Sequence, residues 1–170
     1  MNDLIINKGT VQSHLQVANG VDKKNFKRFI FEAQYMDLRE LTGEVFYNDL
    51  VSNYSSDIYQ TLMQGGVYTY NENSYHFEGI EKVLSYFAYG RFIVESSVQS
   101  SSFGMVKKNS ENSDRVSLRE LEALGDKHSD RAILIFNGVK DFLDRNKETY
   151  ILWGKGNHTN NLKTSIELWG

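Results

Sequence analysis

The chain has 170 residues, no cysteine, and 22 acidic against 19 basic side chains, for a formal net charge of −3. Without cysteine, disulfides, thiolate metal sites and cysteine nucleophiles are excluded by inventory, and no run of Lys or Arg exceeds two, so the electrostatic footprint of a dedicated DNA binder is missing. A chain of this length is expected to form one domain that buries roughly 68–70% of its unfolded surface, and its ten Tyr and ten Phe suit interfaces as well as cores.

Residues 1–21 carry sparse apolar signal (Leu4, Ile5, Ile6, Val11, Leu15, Val17) and read as an N-terminal arm or short element. The opening MNDLIINKGT has no basic region before an apolar core, and no apolar run approaches the roughly 20 residues of a membrane span. A soluble protein without a visible secretion signal is expected. A helix is predicted from near Asp22 to about Met36, because Phe26, Phe29, Ile30 and Ala33 recur on one face. A second follows from Asp37 to Thr42, or on past Gly43 to Ser52. A third spans Asp57–Gln64, capped by Ser55 or Ser56 and stopped by Gly65-Gly66.

Residues 67–77, VYTYNENSYHF, alternate on both sides of Asn71-Glu72-Asn73 and predict a β-hairpin. Beyond Gly79, IEKVLSYFAYGRFIVESSV is apolar nearly all round and reads as the central buried helix. Residues 99–116 are rich in serine and asparagine around one apolar island, Phe103-Gly104-Met105-Val106. They are expected to form a long exposed loop, either a segment that orders against a partner or a linker. Ser117-Leu118-Arg119-Glu120 fits a capping box. The helix it opens carries Leu121, Leu124, His128, Ala132, Ile135, Val139 and Phe142 along one seam to about Arg145. The remainder is polar, with LWG at 152–154 and again at 168–170. Proline is absent, where average usage of about 5% would predict roughly eight. The fold class expected is therefore mostly α, a small helical bundle with one inserted hairpin, a long loop and an extended C-terminal tail. Its parts are an arm (1–21), a helical domain (22–147) and a tail (148–170).

Residues 31–50, FEAQYMDLRELTGEVFYNDL, raise the sharpest chemical question, since Glu32, Asp37, Glu40, Glu44 and Asp49 lie among aromatics. Asp37, Glu40 and Glu44 continue the apolar stripe of the first helix, where acids could bind metal or transfer protons. The structural reading is favoured. If a helix restarts at Asp37, then Asp37-Leu38-Arg39-Glu40 is an Asp version of the capping box, and Met36 can staple onto Leu41. Leu38, Leu41 and Val45 also lie about 100° round from the earlier stripe, as a kink or restart requires. Arg91 falls within the stripe of Ile80, Leu84, Phe87 and Val94, so it is expected to be largely buried and to need a carboxylate, Glu44 or Asp49.

The histidines (14, 76, 128 and 158) show no metal-ligand spacing, and His128 reads as a core or interface residue. GKGNHT at 154–159 lacks the spacing of a phosphate loop. Asn53 and Asn157 match glycosylation acceptors but carry no weight without a secretion signal. No cofactor and no enzymatic activity are expected.

The order FIFEAQYMDLRELTGEVFYNDL, YQTLMQGGVYTYNENSYHFEGIEKVLSYFAYGRFI and SSFGMVKKNSENS resembles a domain family of structural genes in crAss-like and related tailed bacteriophages, over roughly 26–113. Residues 118–153 fit it more loosely. The resemblance implies a head–tail connector, also called an adaptor or ring protein. Copies would form a homo-oligomeric ring, twelvefold like the portal, that binds the portal protein, extends the DNA channel and docks other neck and tail proteins. DNA would pass without specific contact, and no membrane is involved. The implied location is the neck of the virion, with the host cytoplasm as the place of assembly. A tail-completion or stopper protein of the same neck is the alternative, and a metal-dependent enzyme using the 32–49 acids is a third reading. Ring subunits meet head to tail through two different faces. The candidates for those faces are Phe103, Met105 and Val106, the hairpin's Tyr68 and Tyr70, and Trp153 and Trp169 of the tail. The chain departs from the pattern at Gly90, where alanine is expected, and in its tail after 154.

Overall fold

The computed structural model describes residues 4–96, 98–101, 104–107 and 117–155, with 98–101 and 104–107 described as strand backbone. Its elements are α1 (Lys8–His14), α2 (Lys23–Glu32), a π-helical segment (Ala33–Leu38), α3 (Arg39–Thr42), α4 (Glu44–Asn53), α5 (Asp57–Gln64), β1 (Gly65–Tyr70), β2 (Asn73–Glu78), α6 (Ile80–Ser96), β3 (Val98–Ser101), β4 (Gly104–Lys107) and α7 (Leu118–Arg145). The fold is mostly helical with the antiparallel hairpin β1–β2, as the periodicity predicts.

Helix α6 is the hub. Its faces contact α1, α2, the π segment, α5 and α7, which is why its sequence is apolar on almost every side. Phe26, Ile30, Leu62, Met63, Ile80, Leu84 and Leu143 are fully buried around it. The expected N-terminal arm contains a short element, α1, capped by Asn7 and Thr10. Ile5, Ile6, Val11 and Val17 of this stretch are buried in the common core.

Asp22 caps α2, which starts where the sequence places it, and Ser117 with Glu120 closes the capping box of α7, as read from sequence. Gly43, with φ 76°, ends α3 and leads into α4, so the helix after Asp37 does not run on to Ser52. Strands β1 and β2 pair in register from Gly65↔Glu78 to Tyr70↔Asn73, and Asn71 (φ 48°) and Glu72 (φ 65°) make the two-residue turn. Both central residues at positive φ mark the turn whose twist matches a hairpin.

Gly90 resolves its own oddity. A Cβ there would lie 2.9 Å from the Gly125 carbonyl oxygen, and one at Gly125 would lie 2.6 Å from a Val94 methyl. The two glycines let α6 and α7 cross closely. The same contact corrects the seam of α7, because Gly125 takes the buried position and Leu124 is exposed.

Two other expectations are corrected. Part of the expected 99–116 loop is a second hairpin, β3 paired with β4 from Val98↔Lys107 to Ser101↔Gly104. The run Gln99-Ser100-Ser101 offers no apolar alternation from which a strand could be read. Residues 108–116 lie outside the described ones. The expected tail does not begin at 148: the chain turns through 146–154, and Tyr150 and Trp153 are buried in the core. Residues 156–170 lie outside the described residues.

Candidate functional site

Three of the acids of 32–49, Glu32, Asp37 and Glu40, sit on one continuous helical path, 23–42, interrupted by no cap, while Glu44 and Asp49 lie on α4 beyond Gly43. Across Ala33–Leu38 the backbone follows the wider π turn, and neither Glu32 nor Leu38 caps with its side chain. One extra residue in a turn rotates everything downstream by about 100°. That is the rotation the sequence shows, produced by a bulge and not by a restart. The expected cap of Asp37 and Glu40 is therefore absent. Glu40 is exposed, and Met36 is also exposed, at 58%, so no hydrophobic staple forms with Leu41.

The bulge turns Asp37 toward α6 instead. Arg91 donates from Nη2 to Asp37 Oδ1 at 2.9 Å and approaches Glu32 Oε2 at 3.9 Å with Nε. Arg28 then joins Glu32 (3.6 Å) to Glu95. Five alternating charges thus tie α2 and the π segment to α6. Arg91 is largely buried and carboxylate-paired, as expected, but the predicted partners are corrected. Glu44 pairs with Arg39 at 2.7 Å. Asp49 accepts hydrogen bonds from the Tyr59 hydroxyl and from Asn53 Nδ2. The expected restart gives Asp37 to a helix cap, which leaves Glu44 and Asp49 as the acids for Arg91; with no cap formed, Asp37 is the partner. A metal-dependent enzyme would require three of these acids to converge; among the described residues no group of three or more His, Asp or Glu side chains is placed to hold an ion.

Burial pushes the Asp37 carboxyl up to about 6, more than Arg91 pulls it down, and Glu40 and Glu32 add to the rise. Its Oδ2 is buried without a hydrogen-bond partner, so ionisation strands half the carboxylate. A carboxyl whose folded value exceeds its unfolded 3.8 contributes stability that is full below 3.8 and lost as pH rises through about 6. His14 and His128, both lowered by burial, act in the opposite sense, losing stability as pH falls below their unfolded range. The Asp37→Asn variant isolates the first effect. Its unfolding free energy minus that of the parent should rise by up to about 3 kcal/mol between about pH 4 and pH 7. Urea titrations across that range check it, and a difference that stays flat would contradict the assignment.

The tyrosine hairpin is anchored by α7. Arg145 donates to the Tyr68 hydroxyl at 2.7 Å and lies 4.0 Å from the centroid of the Tyr75 ring and 5.3 Å from that of Tyr70. Tyr68 stacks on Tyr75 and meets Phe77 and Phe142 edge-on. Tyr68 is therefore half-buried on the chain's own body, while Tyr70 stays exposed at the turn. Trp153, proposed for a partner face, is corrected outright. It is 7% exposed, donates from Nε1 to Asp144 Oδ1 at 3.0 Å and packs edge-on against Phe46 and Phe136. Met105 and Val106 lie on β4, and Phe103 and Trp169 fall outside the described residues. His128 is buried between Tyr86 and Tyr89 at the glycine crossing, with Nδ1 unpartnered.

Sequence reasoning overlooked one surface. Lys23, Lys27, Phe31, Tyr35 and Arg39 are spaced four apart on the outer side of the 23–42 path. Phe31 and Tyr35 stack at 5.7 Å with both rings exposed, and the Arg39 guanidinium sits 5.1 Å from the Tyr35 centroid. Beside them a groove of about 830 Å³ is lined by Leu4, Ile6, Lys23, Lys27, Phe31 and Tyr54. The i, i+4 spacing is the signal for it in the sequence, running beside the buried stripe.

Compared with known proteins, residues 38–161 match the model of DUF6712, described as a family of unknown function. No curated protein and no solved structure matches the chain.

Proposed function

We propose, for a chain that belongs to the DUF6712 family, a structural role: a subunit of the ring that connects head to tail in a tailed bacteriophage, binding the portal on one side and neck or tail proteins on the other. The reading starts from the resemblance of residues 26–113 to connector genes of crAss-like phages. The observation that carries it further is the arrangement of those segments. Among their described residues, α2, the π segment and α5 pack on α6, and one hairpin precedes α6 at Gly79 while the strand of the other begins at Val98. Seventeen helical residues separate the two hairpins by about 25 Å. A body with a hairpin at each end of its central helix suits a subunit that must touch different neighbours along the axis of a stack. The ion-pair chain from Glu95 to Asp37 links α2 and the π segment to α6, and the glycine crossing brings α7 against it.

Imaging the neck of the phage that encodes this chain tests the reading. A ring of copies seated directly against the portal is the expected result. Density for the chain in a lower layer would make it a stopper or tail-completion protein, and its absence from the neck would overturn a connector role.

A further inference from the structure

Phe92, Arg91 and Glu95 of α6 meet α2 and the π segment, whereas Tyr86, Gly90 and Val94 meet α7, and at about 100° per residue these two sets lie on different sides of α6. The faces of α2 and α7 turned away from α6 therefore look outward in different directions, and their chemistry differs. On α2 and the π segment the outward ridge reads Lys23, Lys27, Phe31, Tyr35, each four residues on. On α7 a ridge of the same spacing reads Asp126, Asp130, Leu134, Gly138. Lys23, Lys27, Asp126 and Asp130 are exposed, and none of them forms an ion pair with another described residue. Leu134, at 69%, is among the most exposed apolar side chains described, while Phe31 and Tyr35 are 42% and 43% exposed. A Cβ at Gly138 would meet nothing closer than Phe77 Cβ at 3.9 Å, on the core side.

We infer that the Lys23–Tyr35 ridge of one copy packs against the Asp126–Gly138 ridge of the next, with Lys23 and Lys27 meeting Asp126 and Asp130, Phe31 covering Leu134, and Tyr35 lying over Gly138. Ridges spaced four residues apart interdigitate well between helices. The order charge, charge, apolar, apolar-or-small is the same on both sides, with opposite sign of charge. Because the two faces belong to different sides of one subunit, the contact is head to tail and propagates into a closed ring or a filament. Exposed aromatics beside cations are the residue types that dominate binding energy in interfaces. The pairing rests on the ring reading for its biological meaning, but the surfaces stand on their own geometry.

The absence of native cysteine makes the test direct. Lys27→Cys chains are mixed with Asp130→Cys chains and treated with a short bismaleimide. The expected product is the mixed dimer, at about tenfold excess over either like-with-like dimer. Charge reversal supplies a second arm: Lys27→Asp and Asp130→Lys should each weaken self-association in sedimentation by about tenfold, and the double variant should recover it. A statistical mixture of cross-links, or charge reversals without effect on an oligomer that does form, overturns the pairing and leaves the connector role standing. A chain that stays monomeric and gives no mixed dimer also overturns the pairing, with the connector role decided by its place in the particle.

Discussion

Trp153→Ala is expected to destabilise the isolated chain by about 3–5 kcal/mol, the range for deleting a buried aromatic from a packed core. The indole closes the far end of the aromatic cluster, meeting Phe46 at 5.2 Å and Phe136 at 6.5 Å between ring centroids, and its N–H answers Asp144. Asp144 would keep only Lys147, at 3.3 Å, and that pair is largely exposed. Removing the indole also loosens Tyr150, which packs on the same Phe46 and donates to the Ile58 carbonyl at 2.9 Å. Chemical denaturation of the monomer measures the effect. A residue serving as an anchor for a partner behaves otherwise, leaving monomer stability unchanged and reducing assembly. Trp153→Phe separates ring from hydrogen bond and should recover most of the loss.

Gly79→Ala should cost about 3 kcal/mol or more, the severe end of overpacking. A Cβ on residue 79 would fall 2.0 Å from the Met63 carbonyl oxygen and 2.4 Å from Gln64 carbonyl carbon and Gly65 nitrogen. All three are backbone atoms. No rotamer change relieves them, so the hairpin base must move away from the end of α5, and the start of α6 moves with it. Gly20→Ala is the control, since nothing lies within 4 Å of a Cβ there, and it should shift stability by a few tenths of a kcal/mol at most. Thermal unfolding of the two variants beside the parent reads the contrast. Equal transitions for Gly79→Ala and the parent would mean that the junction yields.

The helices were legible because they are periodic. The stripe of Phe26, Phe29, Ile30 and Ala33, the all-round apolarity of 80–96 and the capping box at Ser117 each state their element locally. Three features were not legible. A π turn leaves no local sign besides a rotated stripe, and a rotated stripe is equally the sign of a restarted helix; Asp37 was misassigned for that reason alone. The buried state of Trp153 depends on the chain turning back through Asn146–Gly154, where composition reads as tail. The β3–β4 ribbon pairs Gln99 with Val106 and Ser100 with Met105, and neither short strand carries an apolar alternation of its own. The same limit applies to the candidate interface. Lys23, Lys27 and Phe31 look like the solvated side of an amphipathic helix until Asp126, Asp130 and Leu134 are seen on a different side of the same body.

The connector role, which ties these surfaces to biology, meets its most direct test in particles assembled without this chain. On the proposed connector reading, a phage carrying this gene, with the gene deleted, should yield DNA-packaging heads and separate tails that fail to join, and adding back the purified chain should restore joining. Particles that carry normally attached tails in its absence would contradict the account.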